Sequence, residues 1–313
     1  MIVRFLTLLC TTLLLTAPIN ASADAPHSFS QAKKIAWDLY PAQTELYCGC
    51  KYSEHKVDSA SCGYVPRKNA TRASRIEWEH IVPAWTFGHQ RQCWQSGGRE
   101  HCESDDPVFQ AMEADLFNLY PAVGEVNGDR SNFNYGMAAG VAPQYGQCKT
   151  KVDFSNRVAE PRDEVKGLVA RTTFYMFDRY NLNMSRQQQQ LLMAWDKQFP
   201  VTALEKERNK RIAAIMGHSN PFVTRDRTWT QGYKPVGDGV VNAIPTRASQ
   251  PAKPTTIARS TSSGTIIGNS NSHVYHLPEG CPNYGSVASK NQMTFKSESE
   301  AQAAGYRKAG NCK

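Results

Sequence analysis

The sequence predicts an exported α+β protein, a disulfide-bonded main domain followed by a small cysteine-containing module. Three observations carry this expectation. Several long segments repeat apolar residues at helical spacing between recognisable caps, while the strand-like segments are short. The first residues form an apolar stretch of signal-peptide length. Of nine cysteines, one (Cys10) lies inside that stretch, and the even number left suits an oxidising compartment.

The elements follow in chain order. Met1 to Arg4 is a short basic start, "FLTLLCTTLLLTA" is apolar, and Ala21 to Ala23 offers a small-residue cleavage site, so residues 1–23 read as a signal peptide. Leu9 before Cys10 argues against a lipid anchor, and no later segment is apolar enough to span a membrane. The expected location is the periplasm or the outside medium. "SQAKKIAWDLY" (Ser30 to Tyr40) reads as a helix with a serine cap. "RIEWEHIVPAW" (Arg75 to Trp85) alternates like a strand: Glu77 and Glu79 fall on one face, Trp78 and His80 on the other, and Pro83 ends the pairing. "QSGGREHCESDDP" reads as a glycine-rich loop carrying Arg99. In "DLFNLYPAVGEVNGDRSNFNYG" (Asp115 to Gly136), Pro121 and Gly124 preclude one long helix. Helical periodicity returns at Asp163 to Tyr180, Ser185 to Phe199 and Thr202 to Gly217, the last with a threonine cap, a glutamate three residues on and a terminal glycine.

Composition then shifts. Residues 234–265 are rich in Pro, Thr, Ser, Ala and Gly, cannot build a core and read as a flexible linker. Residues 266–313 regain aromatics and two cysteines. The expected main domain is therefore 24–233 and the accessory module 266–313. Positive charge is uneven: the linker holds four Lys/Arg against one Asp, and the module five Lys/Arg against three Glu. Such an arm can add salt-sensitive affinity for a polyanion.

Cys48, Cys50, Cys62, Cys93, Cys102 and Cys148 cluster early, and Cys281 and Cys312 sit at the end. "CGC" lacks the two-residue spacing that tetrahedral thiolate sites favour, so disulfides are expected throughout. The sequence does not fix the pairing; Cys93–Cys102 closing a loop and Cys281–Cys312 within the tail are the expected pairs, with the rest open. His273 and His276 could complete a Cys₂His₂ zinc set with the terminal cysteines, the alternative to a disulfide there. Tyr275, Tyr284 and Tyr306 could stack on a nucleic-acid strand or fill a small core. No "HExxH" helix is present.

The chemistry concentrates in two stretches. Glu79 and Asn127 offer hard oxygen donors, a set that with waters and a phosphate suits Mg²⁺. His80, beside one of them but on the other face, can take a proton from water. Arg99 could reach such a site if its loop folds over it.

Here the residues reach a resemblance. "CGYVPRKNATRASRIEWEH", "RIEWEHIVPAWTFGHQRQCW", "MEADLFNLYPAVGEVNGDRSNFNYG", "YGQCKTKVDF" and "RTTFYMFDRYNLNMS", in this order from about Tyr40 to Val223, resemble the endonuclease I family of periplasmic and secreted bacterial nucleases. The resemblance implies a ββα-metal (His-Me finger) core with surrounding helices. It implies His80 as general base, Glu79 and Asn127 as ligands of one divalent metal (Mg²⁺, with Ca²⁺ or Mn²⁺ able to substitute) and Arg99 as the phosphate-stabilising arginine. Glu113 is expected to orient His80. The implied reaction is sequence-non-specific endonucleolytic hydrolysis leaving 5′-phosphate ends. The implied substrates are double- and single-stranded DNA and RNA, cleaved by a monomer. Phe117 departs from the pattern, standing where such sequences carry His in "DLHNL". The tail resembles the small Cys module of some extracellular nucleases and the metal-binding module of the Ada repair protein.

Overall fold

The computed structural model describes residues 25–40, 44–243, 265–270, 272–279, 281, 284–295, 297–304, 306–309 and 312. The expected signal peptide, residues 1–23, and residues 244–264 of the expected linker lie outside the described residues. The chain divides into two units, Met1–Arg247 and Ala248–Lys313.

The first unit begins with α1 (Phe29–Ala36), capped by the Ser28 hydroxyl, which accepts from the Gln31 N–H. The cap is thus two residues earlier than Ser30, which brings Phe29 into the helix. A short hairpin follows, β1 (Lys51–Ser53) with β2 (Lys56–Asp58), then α2 (Ala70–Ala73). β3 (Ile76–His80) leads into α3 (Ala84–Gly88), α4 (Gln92–Asp105) and α5 (Pro107–Ala114). The expected loop around Arg99 is therefore helical. It is broken at Gly97–Gly98, where Gly98 takes φ 67°, a left-handed value that glycine adopts without a Cβ penalty.

β4 (Leu119–Val123) returns antiparallel to β3, with Glu79 opposite Tyr120 and His80 opposite Leu119. It runs straight into α6 (Gly124–Arg130). β5 (Asn134–Tyr135), β6 (Lys151–Asp153) and β7 (Val158–Glu160) form a small sheet in the order β5-β7-β6. The long helices α7 (Asp163–Arg179), α8 (Arg186–Gln198) and α9 (Ala203–Met216) pack together, then α10 (Pro221–Thr224) and α11 (Asp238–Ala243) follow. Arg171, with 1% side-chain exposure, ties α7 to Glu205 of α9 and Asp196 of α8. Arg208 donates to the carbonyls of Leu116, Phe117 and Leu119, anchoring α9 to the start of β4.

The first residues of the expected linker are not linker-like. The Val236 N–H donates to the Asp178 carboxylate and the Gly237 N–H to the Asp178 carbonyl, which holds α11 on the main unit.

Cys48–Cys148 closes the early loop over 100 residues, and Cys50–Cys62 and Cys93–Cys102 complete the first unit's bridges. Cys93–Cys102 clamps the two halves of α4 across the glycine break. The buried Glu45 carboxylate accepts from the N–H groups of Tyr47, Cys48, Cys50 and Val123, fastening the cysteine loop to the end of β4.

The second unit is a four-stranded sheet of β8 (Ile266–Asn269), β9 (Val274–His276), β10 (Gln292–Phe295) and β11 (Arg307–Lys308), in the order β10-β8-β9-β11, with α12 (Glu298–Ala303). Its core holds Ile266, Tyr275, Phe295, Ala301 and Tyr306, so Tyr275 and Tyr306 are core residues and not stacking platforms. Cys281 and Cys312 are disulfide-bonded. His276 lies within 4.8 Å of both sulfurs, but His273 packs at a tilt against Tyr306, and the Cys₂His₂ set is not assembled among the described residues.

Candidate active site

Strand alternation sends the two faces of β3 to different neighbours. Trp78 packs against Trp37 and Tyr40. His80 lies against Phe29 (4.7 Å between centroids) and Phe87 (6.2 Å). Glu77 and Glu79, on the opposite face, meet α6. This is the separation the period of two predicts.

His80 is buried, and its Nε2 lies 2.8 Å from the Glu113 main-chain carbonyl. A carbonyl only accepts, so Nε2 carries the hydrogen and Nδ1 keeps its lone pair. Burial pushes the imidazole down to about 4, and the positive charges of Arg99, Arg130 and Lys33 add to it against the opposing pull of the carbonyl. The ring is therefore neutral near pH 7, with Nδ1 as an acceptor.

Glu113 was expected to orient His80, and its backbone makes that contact. Its side chain does something else: the carboxylate accepts from Arg99 Nε at 2.8 Å and also from Nη2. Burial pushes the Glu113 carboxyl up to about 7 against the pull of Arg99. Arg99 also bonds Glu103, and among the described residues its Nη1 makes no hydrogen bond. The Arg99 side chain is 44% exposed and its Cζ sits 5.8 Å from the Phe29 ring, the same ring that His80 touches. His80 and Arg99 thus share one wall, and the backbone break at Gly98, immediately before Arg99, allows that placement.

Glu79 is buried in a tight cluster. Arg130 Nη1 (2.5 Å), the Tyr47 hydroxyl (2.6 Å) and the Tyr135 hydroxyl (3.5 Å) all donate to Oε1. Burial raises the Glu79 carboxyl above its usual range, opposed by Arg130 and the two hydroxyls. Arg130 also donates to the carbonyls of His80 and Ile81, which pins the strand end. Asn127 sits one turn before Arg130 on α6 and is half-buried. Its Nδ2 donates to Glu77 Oε2 at 3.3 Å. The two expected metal ligands therefore lie on facing elements but take separate partners: Glu79 pairs with Arg130, Asn127 with Glu77.

The donor set nonetheless fits a hard divalent cation. Among the described residues every hydrogen bond to Glu79 lands on Oε1, leaving Oε2 unspent, and committing Nδ2 to Glu77 leaves Oδ1 as the free end of the Asn127 amide. Partial burial would raise the Glu77 carboxyl, but Arg72 and Arg75 outweigh it and hold the group below its usual range.

The other polar residues of the Asp115–Gly136 stretch serve the fold. Asn118 exchanges two hydrogen bonds with the Val82 backbone just past His80. Asp129 takes Arg67 and Tyr145, and Asn132 takes Arg157. Phe117 is buried against Tyr175 (4.8 Å) and His218 (5.7 Å). Sequence reading missed Glu77, Arg130, Tyr47, Tyr135 and Phe29. Glu77 was legible in principle from its shared face with Glu79, and Arg130 from its three-residue spacing after Asn127; the tyrosines and Phe29 gave no local signal.

Comparison with known proteins gives consistent results. The family model described as Endonuclease I matches residues 19–227. An extracellular deoxyribonuclease of Aeromonas hydrophila is 49% identical over 223 residues, covering 69% of this chain and 96% of the relative. A periplasmic deoxyribonuclease of the same species is 46% identical over 220 residues, covering 68% and 92%. Endonuclease-1 of Buchnera aphidicola subsp. Acyrthosiphon pisum is 47% identical over 201 residues, covering 63% and 80%. The family match ends before the second unit begins.

Proposed function

The chain belongs to the endonuclease I family, and from that premise we propose that it is an exported, metal-dependent endonuclease that hydrolyses DNA, and RNA, without sequence preference. We read β3, β4 and α6 as its ββα-metal core. The observation that carries this reading is the state of His80: a buried neutral imidazole whose Nε2 hydrogen is committed to a main-chain carbonyl, leaving Nδ1 to accept a proton. Such a group has little use in a purely binding surface.

His80 Nδ1 takes a proton from water, and the resulting hydroxide attacks phosphorus. Attack opposite the 3′ oxygen breaks the P–O3′ bond, and the leaving 3′ oxygen takes a proton from solvent water, giving a 5′-phosphate and a 3′-hydroxyl. Glu79 Oε2 and Asn127 Oδ1 would hold a divalent cation, Mg²⁺ foremost, with Ca²⁺ or Mn²⁺ accepted by the same oxygens. When bound, the cation supplies charge neutralisation at the phosphate and the leaving oxygen. Arg99 offers its free Nη1 to a phosphate oxygen while Glu113 fixes the guanidinium plane. Glu113 thus serves twice, through its carbonyl to His80 and through its carboxylate to Arg99. Backbone-directed contacts of this kind carry no base information, which supports action on DNA and RNA alike.

The relatives' names support export, and among the described residues no helix is long and apolar enough to cross a membrane. The test is plasmid nicking by the oxidised chain from residue 24, with Mg²⁺ and with EDTA, beside His80→Ala. Cleavage that requires both metal and His80 is the expected result. Tight DNA binding without cleavage, unchanged by the substitution, would make the protein a binder on a nuclease scaffold.

A further inference from the structure

α6 carries two glycines one turn apart, Gly124 and Gly128, and both face the same neighbours. A Cβ on Gly124 would stand 2.7 Å from the Arg72 carbonyl oxygen and 2.9 Å from Glu77 Cδ. A Cβ on Gly128 would overlap the Arg72 guanidinium. The two bare positions let the Arg72–Glu77 pair lie flat against the helix, beside Asn127, which sits between them in sequence. Arg72 Nε donates to Glu77 Oε1 at 3.0 Å and Arg72 Nη2 to Oε2. Arg75 adds two donors to Oε1, at 3.1 and 2.8 Å. The remaining contact, on Oε2, is the Asn127 Nδ2 group at 3.3 Å.

An amide has one donating and one accepting end, and which end points where decides whether it can ligate a cation. A fully engaged carboxylate beside Nδ2 selects the orientation in which Oδ1 is turned away from it. The same engagement removes Glu77 as a rival ligand. Glu77 shares a strand face with Glu79, but both of its oxygens are spent on guanidinium and amide donors, while among the described residues nothing bonds Glu79 Oε2.

We propose that Glu77, locked by Arg72 and Arg75 into the cradle formed by Gly124 and Gly128, is a positioning residue that sets the Asn127 amide for metal binding. The proposal rests on the metal-nuclease reading above. Ligand-orienting partners of this kind typically change metal affinity by about 10–100-fold.

The test is a Mn²⁺ titration of the full, disulfide-intact chain without DNA, following free Mn²⁺ by electron paramagnetic resonance, with Asn127→Ala defining the site. In Glu77→Gln the new side-chain NH₂ can donate to Asn127 Oδ1 and hold the amide the wrong way round. Gly128→Ala leaves Glu77 and Asn127 in place but pushes Arg72 aside, and alanine favours the helix more than glycine does. We expect both to weaken Mn²⁺ binding by about tenfold or more. Their turnover at saturating Mn²⁺ stays close to wild type, because neither residue touches the reacting atoms. Wild-type affinity in both folded variants overturns the proposal, as does a loss of turnover at saturation with affinity intact. If Glu77→Gln does not fold, Gly128→Ala decides by the same criteria. A wild-type chain with no Mn²⁺ site sensitive to Asn127→Ala fails the metal reading itself, and the proposal falls with it; that result appears before any Glu77 variant is measured.

Discussion

Arg130→Met tests the site most severely, because Arg130 joins its parts. The Arg130 side chain is 1% exposed and its Glu79 partner 3%. It makes the ion pair to Glu79 and donates to the carbonyls of His80 and Ile81. Its Cζ also lies 4.4 Å from the Tyr135 ring. Methionine fills part of the volume and supplies none of the donors. Removing one partner of a buried pair costs about 3–5 kcal/mol. Each buried carbonyl left without a donor adds about 1–3 kcal/mol. Protonation of Glu79, which burial already favours, and the hydroxyls of Tyr47 and Tyr135 offset part of this. We therefore expect a net loss of about 4 kcal/mol, a large share of the roughly 5–15 kcal/mol typical of a folded domain. Urea unfolding of the oxidised protein by tryptophan fluorescence measures it cleanly, since all six tryptophans lie in the first unit. Arg130→Lys should lose less, because an ammonium keeps the charge but cannot serve all three acceptors at once. In the Glu79→Gln background the cost of Arg130→Met should shrink, because the stranded charge is gone. A loss under about 1 kcal/mol, the range of surface substitutions, or strict additivity in that cycle would refute the reasoning.

Four further outcomes are expected. Because burial holds His80 down to about 4, it remains the neutral base well below the ordinary histidine value of about 6.5, so single-turnover cleavage should keep its rate to about pH 5; a half-loss near 6.5 contradicts the buried state. The same shift makes His80 a source of stability present above about pH 6.5 and lost as pH falls towards 4, worth roughly 3 kcal/mol, because the unfolded ring takes up the proton first. Arg99→Lys keeps the charge but loses the planar fork that Glu113 grips, and should slow cleavage about 10–100-fold with the fold intact; undiminished activity removes Arg99 from the mechanism. Replacing Cys48 and Cys148 with alanine opens a loop of 100 residues and should lower the unfolding free energy by about 4–5 kcal/mol, read by the same urea assay; a loss below about 1 kcal/mol would show that buried Glu45 already holds the loop.

Much of the arrangement was legible in local pattern. A period of two put Glu77 and Glu79 on one face of β3 and Trp78 and His80 on the other. Helical spacing with the Thr202 cap and the Gly217 terminus marked α9. These features depend on residues within a turn or two of one another, and side-chain type alone encodes them. The expectation for the Arg99 segment failed because two glycines read as a loop when they interrupt a helix that a disulfide holds together.

The rest was decided only by contacts between segments far apart in the chain. His80 takes its hydrogen-bond acceptor from residue 113, and that acceptor is a main-chain carbonyl, a group every residue carries and no sequence pattern distinguishes. Tyr47 reaches Glu79 across 32 positions and Cys48 reaches Cys148 across 100. Sequence by itself determined which chemical groups stand at the end of β3 and which way each one faces. Tertiary structure decided which nitrogen of His80 is protonated, which oxygen of Glu79 is left unspent and which end of Asn127 is free. Those are matters of geometry to within a few tenths of an ångström, set by the packing of α1, α4, α5 and α6 around a two-stranded sheet.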